Sequence, residues 1–296
     1  MVHRLQIRPT YFTGLFERFT VAITGTEFTT ITDRERQQLM SMRKAIAAVC
    51  ISAGLAVSAG LASPATAQVV PGGPLHNGNL NCSQGFAGTV IKDDGAAENI
   101  MVTAGHCLDQ GQKAVVGFRG GLVEVGDTIA QGFIRPFVSY QYGLNGIFFG
   151  IPHSSDWAIA RLYPHIGMTR NAQSAGSNGL INSFPRALTG IRDYGDLAPG
   201  QISTDNAGQL ICKDGSRSGR LCGIQIARTR DNIFHTPITI PGDSGGAVYD
   251  PLSGQVLGTV SGSWGPVDNT QAADATLQDA YGIPDGQVNQ RFHLAP

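Results

Sequence analysis

Three short stretches carry the residue types of nucleophilic catalysis. Pro241-Gly242-Asp243-Ser244-Gly245-Gly246 sets a serine among glycines. Such a turn lets backbone N–H groups come close to a reacting atom, where a Cβ would stand in the way. A serine hydroxyl is almost fully protonated at neutral pH, so Ser244 needs a base to act as a nucleophile. The histidines beyond residue 67 are His76, His106, His153, His165, His235 and His293. Context singles out His106, which lies in Thr103-Ala104-Gly105-His106-Cys107, directly after a β-like run. A general base must hold its place within about 3 Å of the proton it takes, and a disulfide at Cys107 would restrain the backbone beside the imidazole. The third requirement is a carboxylate that fixes the imidazole tautomer and stabilises the imidazolium. Asp156 meets it, because it precedes the apolar run Trp157-Ala158-Ile159-Ala160 and can stand at a strand entrance with its side chain turned inward. His153 reads as a surface residue, His235 as a loop residue near the cleft, and the other histidines as solvated. Serine, histidine and aspartate in these roles perform acyl transfer.

The elements that must position them read as β-structure. Short runs rich in β-branched residues recur at Gly88–Ile91, Ile100–Thr103, Lys113–Phe118, Leu122–Val125, Trp157–Leu162, Gly223–Ile226, Ala247–Tyr249 and Gln255–Val260. Gly, Pro, Asn and Asp separate them, which argues for a sandwich or barrel over βαβ units. The polar, glycine-rich stretch 167–185 is the expected linker between two similar β halves, about 80–166 and 186–268. Helix formers over Thr270–Tyr281, with Gly282 as a stop, predict a C-terminal helix followed by a tail to residue 296.

Composition narrows the function classes. The 296 residues are 42% hydrophobic and 15% charged, with a net charge of −1, against a usual charged fraction of about 25%. There is no basic run and no interleaving of aromatic with basic residues, so no nucleic-acid partner is expected. Arg43-Lys44, the apolar stretch Ala45–Ala62 and Ala65-Thr66-Ala67 form the n-region, h-region and A-x-A site of a secretory signal, with cleavage after Ala67. Residues 40–67 are read as that signal, with translation starting at Met40 or Met42, and 1–39 as an upstream extension. The part from Gln68 to Pro296 is then a secreted protein, not held at a membrane after cleavage, and expected to act as a monomer. It carries 14 Lys and Arg against 18 Asp and Glu. Its cysteines are Cys82, Cys107, Cys212 and Cys222, an even number that reads as two disulfides in an oxidising compartment. Three pairings remain open. Pairing 82–107 and 212–222 would close short loops within each half. Zinc-type C-x₂-C spacing is missing, so no metal and no cofactor is expected.

TAGHC, SDWAIARL and PGDSGG, in this order and at these separations, resemble the chymotrypsin-like serine peptidases, and most of all the bacterial branch of streptogrisin and α-lytic protease. The resemblance spans about residues 80–283. Cys212–Gly223 is similar to that branch's disulfide loop, and Leu277–Ile283 to its C-terminal helix. The resemblance implies an all-β fold of two antiparallel six-stranded β-barrels, with the site in the cleft between them. It implies a catalytic His106, Asp156 and Ser244, with the N–H groups of Gly242 and Ser244 as oxyanion hole. Asp243 would turn away from the cleft to pair with a cation. Bacterial relatives place an arginine after the first cysteine of the loop; here that place holds Lys213, the expected partner, with Arg217 as fallback. Ser261-Gly262-Ser263 resembles the edge strand that pairs with substrate and walls the primary pocket. Trypsin-like enzymes put an aspartate six residues before the serine. Ile238 stands there, so an apolar P1 residue is expected. Only 14 residues separate Ala67 from Cys82, which leaves no room for the relatives' long pro-region, so the protein is expected to fold unaided or to need no N-terminal activation. The implied function is a secreted serine endopeptidase acting on protein or peptide substrates; the alternative is an inactive secreted binding protein on the same scaffold.

Overall fold

A computed structural model describes residues 67–78, 80–118, 120–132, 155–174, 183–263 and 266–296. His153, the segment read as a signal up to residue 66, and the middle of the expected linker lie outside these residues.

The β-like runs all fall in strands, except that Trp157 stands just ahead of its strand. In chain order these are β1 (Gln68–Val69), β2 (Pro74–Asn77), β3 (Leu80–Ser83), β4 (Phe86–Ile91), β5 (Ala97–Thr103), β6 (Lys113–Phe118), β7 (Gly121–Gln131), β8 (Ala158–Leu162), β9 (Gly167–Met168) and β10 (Asn171–Ala172). They continue as β11 (Arg186–Ala187), β12 (Gly190–Ile191), β13 (Leu210–Gly215), β14 (Gly219–Arg228), β15 (Asn232–His235), β16 (Ala247–Tyr249), β17 (Gln255–Ser263), β18 (Asp268–Ala272) and β19 (Phe292–Leu294). Helices α1 (Ala273–Tyr281) and α2 (Val288–Arg291) precede β19.

Two sheets dominate. In the second half, the order β17-β16-β13-β14-β15-β18 closes on itself through β17–β18 pairing, giving a six-stranded barrel, with β12 added in parallel to β17. The first half is an eight-stranded sheet in the order β19-β4-β5-β8-β7-β6-β2-β3, a half-barrel. The expectation of an all-β fold of two barrels thus holds, with the second barrel closed and the first left open. Each half has its own apolar interior: Leu75, Met101, Val116 and Ala160 in the first, Ile211, Ile233, Leu257 and Val260 in the second. A third cluster, with Phe86, Ile100, Tyr249, Leu277 and Phe292, joins residues of both sheets and α1.

α1 begins at Ala273, three residues later than the sequence pattern suggests. Thr270, Gln271 and Ala272 instead extend β18, which pairs with β15 on one side and β17 on the other. Pairing at both edges outweighs the helix propensity of this stretch. Gly282 ends the helix in the left-handed conformation at φ 65°, its N–H bonded to Gln278 O at 2.8 Å. The tail beyond is more than a loose end, since β19 pairs antiparallel with β4 and completes the first sheet. Among the described residues, no helix is long and apolar enough to cross a membrane.

Candidate active site

His106 and Asp156 meet because their strands are neighbours. β5 and β8 run antiparallel with Thr103 opposite Ala158. The chain leaves β5 at Thr103 and turns through a short 3-10 segment, Gly105–Cys107, while Asp156 stands just ahead of β8. The imidazole Nδ1 lies 2.8 Å from Asp156 Oδ2, and the backbone N–H of His106 donates to Asp156 Oδ1 at 2.9 Å. One carboxylate therefore fixes both the ring and the peptide of the same residue. With Nδ1–H donating to Asp156, Nε2 is left as the acceptor.

Other groups hold this pair. The Ser261 hydroxyl donates to Asp156 Oδ2 at 2.6 Å, and Asp156 N–H donates to Gln271 Oε1 at 2.8 Å. Gln131 Nε2 donates to Gly105 O, and Asn77 Nδ2 to Cys107 O. Cys107 is joined to Cys82, and both sulfurs and a His106 ring nitrogen lie within 4.8 Å of one another. Burial by itself disfavours the imidazolium, but the hydrogen bond to Asp156 and its charge outweigh this, so the pKa of His106 lies above the usual 6.5. Burial works against ionisation of Asp156, yet the His106 and Ser261 bonds hold its carboxyl below the usual aspartate value.

The serine turn is tied to both sheets. Ser83, at the end of β3, donates its N–H to Ser244 O at 2.7 Å, and Ser83 O accepts the Thr103 hydroxyl at 3.1 Å. Ser83 thus links the Ser244 turn to the end of β5 that carries His106. On the other side, Gly245 N–H donates to Val260 O and Val260 N–H to Gly246 O. Glycine is required at 245: its φ is 84°, and a Cβ there would stand 2.1 Å from Thr103 Oγ1 and 2.5 Å from Ser83 O. Gly242 has φ 103°, and its carbonyl is held by the hydroxyls of Ser83 at 2.9 Å and Ser216 at 3.1 Å. Among the described residues, no protein acceptor takes the N–H of Gly242 or Ser244.

Asp243 turns inward and is fully buried, as is Lys213. Lys213 Nζ lies 2.5 Å from Asp243 Oδ2. The same carboxylate accepts the N–H groups of Arg217, Ser218 and Ile240 at 3.1, 2.9 and 3.1 Å, and the Ser218 hydroxyl at 2.5 Å. Ser218 Oγ in turn accepts from Lys213. Burial pulls the Lys213 pKa below the usual lysine value, against the opposing pull of Asp243. Arg217, the fallback partner, contributes its backbone N–H to Asp243 and not its guanidinium.

Cys212 lies directly across β13–β14 from Cys222, and the two are bonded, so the short-loop pairing of all four cysteines is the one present. His235 departs from its expected place. It lies in β15, fully buried, with Nε2 2.9 Å from Thr270 Oγ1 and Nδ1 3.0 Å from Thr236 O. A strand pattern of only four residues, Asn232–His235, gave little to distinguish it from a loop. Ser261, expected among the substrate-facing edge residues, also supports Asp156. A β-bulge makes this reach possible: β17 runs from Val260 to Gly262 while β18 advances only from Thr270 to Asn269, so Ser261 is the extra residue and is re-aimed. Ser263 then comes to lie opposite Asp268. Gln271 and Ser218 had no signal of their own in the sequence.

A closed barrel, a half-barrel and a C-terminal helix make the fold that of the chymotrypsin-like serine proteases. Two bacterial structures of that class carry the likeness. A Nocardiopsis protease superposes with a TM-score of 0.51 at 20% identity, covering 78% of this chain and 100% of its own. Protease A of Thermobifida fusca gives 0.50 at 19% identity, covering 77% and 99%. No protein-family model and no curated protein matches the chain.

Proposed function

We propose that the chain is a secreted serine endopeptidase. His106 Nε2 takes the Ser244 Oγ proton as Oγ attacks the substrate carbonyl. The negative charge that develops on the carbonyl oxygen is received by the N–H groups of Gly242 and Ser244. Asp156 holds the imidazolium while it forms. His106 then gives the proton to the leaving amine, and water repeats the sequence on the acyl-enzyme. The observation that carries this reading is the double hold of Asp156 on His106, through Nδ1 and through the peptide N–H, beside a serine turn with two unclaimed donors. The A-x-A site ending at Ala67 and the two disulfides support secretion. The same reading takes an apolar P1 residue, because Ile238 stands six residues ahead of Ser244 where trypsin-like enzymes carry an aspartate.

The test is intact mass after treatment with a fluorophosphonate, alongside Ser244→Ala and His106→Ala. One stoichiometric adduct on the natural chain, missing from both variants, is the expected result. A folded chain with both disulfides and no adduct would leave the inactive binding protein as the better reading.

A further inference from the structure

The hairpin joining β13 to β14 is tied to the Ser244 turn. Gly215 pairs with Gly219, so its loop is Ser216, Arg217 and Ser218, with Gly219 in the left-handed conformation at φ 78°. Two of these residues turn their side chains inward. The Ser216 hydroxyl lies 3.0 Å from Cys82 O and 3.1 Å from Gly242 O, and Ser218 Oγ stands between Lys213 and Asp243. Arg217, at the tip, gives Asp243 only its backbone N–H, at 3.1 Å.

The Arg217 stem runs along Gly242. A Cβ built on Gly242 would stand 3.0 Å from Arg217 Cβ, 3.4 Å from its Cγ and 3.7 Å from its Cδ. The side chain therefore lies against the residue whose N–H is proposed to receive the oxyanion. Its head is free: Arg217 is exposed, and among the described residues no hydrogen bond or ion pair includes its guanidinium. The neighbouring acids are taken, Asp243 by Lys213 and Asp214 by Arg220. Laying a long side chain along the backbone costs rotamer entropy, and here it ends in a cation with unused donors.

The place of Arg217 decides which part of a substrate it meets. Val260, just ahead of Ser261–Ser263, is bonded to Gly245 and Gly246, so the edge expected to pair with the acyl part of a substrate lies on one flank of the turn. On the other flank, Ser83 and Ser216 hold Gly242 O, and the Cys82–Cys107 sulfurs lie within 4.8 Å of a His106 ring nitrogen. In the proposed reaction His106 gives its proton to the leaving amine, so the leaving segment departs over this second flank, where Arg217 stands.

We propose that the Arg217 guanidinium binds a carboxylate at P1′ or P2′, so that the enzyme favours substrates with aspartate or glutamate just past the scissile bond. This rests on the serine-peptidase reading above. A guanidinium fork matches a carboxylate in two parallel charge-assisted bonds, which a neutral amide of the same shape does not return in strength. A carboxylate in this place belongs either to an acidic side chain or to the end of a peptide, and the experiment separates the two.

The experiment loads Ser244 with an acyl group from the ester of an apolar N-acyl amino acid and lets dipeptides compete with water for it. The dipeptide amine attacks the acyl carbon and passes a proton to His106, and Ser244 Oγ takes a proton from His106 as its ester bond breaks. Glu-Ala-NH2 and Ala-Glu-NH2 are compared with Gln-Ala-NH2 and Ala-Gln-NH2, and Ala-Gln with a free carboxyl end is compared with its amide. The chains compared are the natural one, Arg217→Gln and Arg217→Glu, which all keep the backbone N–H that Asp243 accepts. The expected result is that a Glu dipeptide is captured about 5-fold better than its Gln counterpart. That ratio should fall as salt is raised, drop to about one in Arg217→Gln and invert in Arg217→Glu. A merely structural role would slow capture of all dipeptides alike and leave the ratio in place. kcat/KM for matched peptides with Glu or Gln at P1′ and P2′ gives the ratio by a second route, and decides the matter if no amine competes with water. If the natural chain forms the fluorophosphonate adduct but shows no such ratio by either route, or if the ratio survives in Arg217→Gln, the proposal is overturned while the peptidase reading stands. A gain confined to the free carboxyl end assigns Arg217 to chain ends and overturns the side-chain preference. If no adduct forms, the peptidase reading fails and this proposal fails with it.

Discussion

Replacing Lys213 by methionine should damage both the stability and the reactivity of the Ser244 turn. Both Lys213 and Asp243 are fully buried, and the ammonium is the one cation on this carboxylate among the described residues. Breaking a buried pair by removing one partner costs about 3–5 kcal/mol, because the other charge stays behind. Asp243 would keep three backbone N–H groups and the Ser218 hydroxyl. These soften the loss, so the lower end, about 3 kcal/mol, is expected. For a unit of this size each kcal/mol moves the midpoint by roughly 2–4 °C, which gives a fall of roughly 6–12 °C. Adding Asp243→Asn to Lys213→Met removes the stranded charge and should recover part of that fall, a coupling of about 1–3 kcal/mol in a double-mutant cycle. Asp243 lies between the two proposed oxyanion donors, so Lys213→Met should also slow fluorophosphonate labelling on the order of 10²-fold. Thermal melts of the four cycle members, with labelling rates measured below the lowest midpoint, make the assay. If Lys213→Met melts within about 1 °C of the natural chain and labels at the same rate, the pair does not hold the turn.

Further outcomes follow from the same contacts. Only the neutral imidazole can act as base, so kcat/KM should rise with pH through an inflection above 6.5, set by the raised His106 pKa. Asp156→Asn removes the charge that raises it and leaves the effect of burial, so the rate should drop on the order of 10⁴-fold, and any residual activity should show its inflection at lower pH. An unmoved inflection in that variant would break the assignment of Asp156. Gly245→Ala sets a Cβ 2.1 Å from Thr103 Oγ1 at φ 84°, so folded yield and labelling should both collapse, whereas Gly262→Ala, with no atom within 4 Å of its Cβ, should fold normally. Removing the Cys82–Cys107 link by paired serine substitution frees a loop of 25 residues and should cost roughly 3–4 kcal/mol in a denaturant melt. Sequencing the secreted protein should find Gln68 at its N-terminus, and a start elsewhere would move the cleavage site.

What the residues alone disclosed was local. His106, Asp156 and Ser244 stood out because each sits in a motif whose neighbours suit its proposed role: a cysteine beside the proposed base, an apolar strand after the proposed acid, glycines around the proposed nucleophile. The strands were legible for the same reason, since β-branched runs between turn residues need no distant information. The four cysteines announced two disulfides, while their pairing waited for β13 and β14 to set Cys212 opposite Cys222. Lys213 was expected to meet Asp243 by likeness to known enzymes, but the part of Ser218 in that contact follows only from the turn between β13 and β14. Everything that supports Asp156 came from far along the chain: Gln271 lies 115 residues away and Ser261 lies 105. Such contacts depend on which strands become neighbours and on one bulge in β17, and no window of sequence contains that. The same holds for α1, whose first three expected residues went to β18 because two partner strands were waiting for them. It holds most of all for Asp268. In the sequence it is one acid in a polar stretch, and only the closure of the barrel through β18 sets its carboxylate on the N–H groups of Ile238 and Thr239.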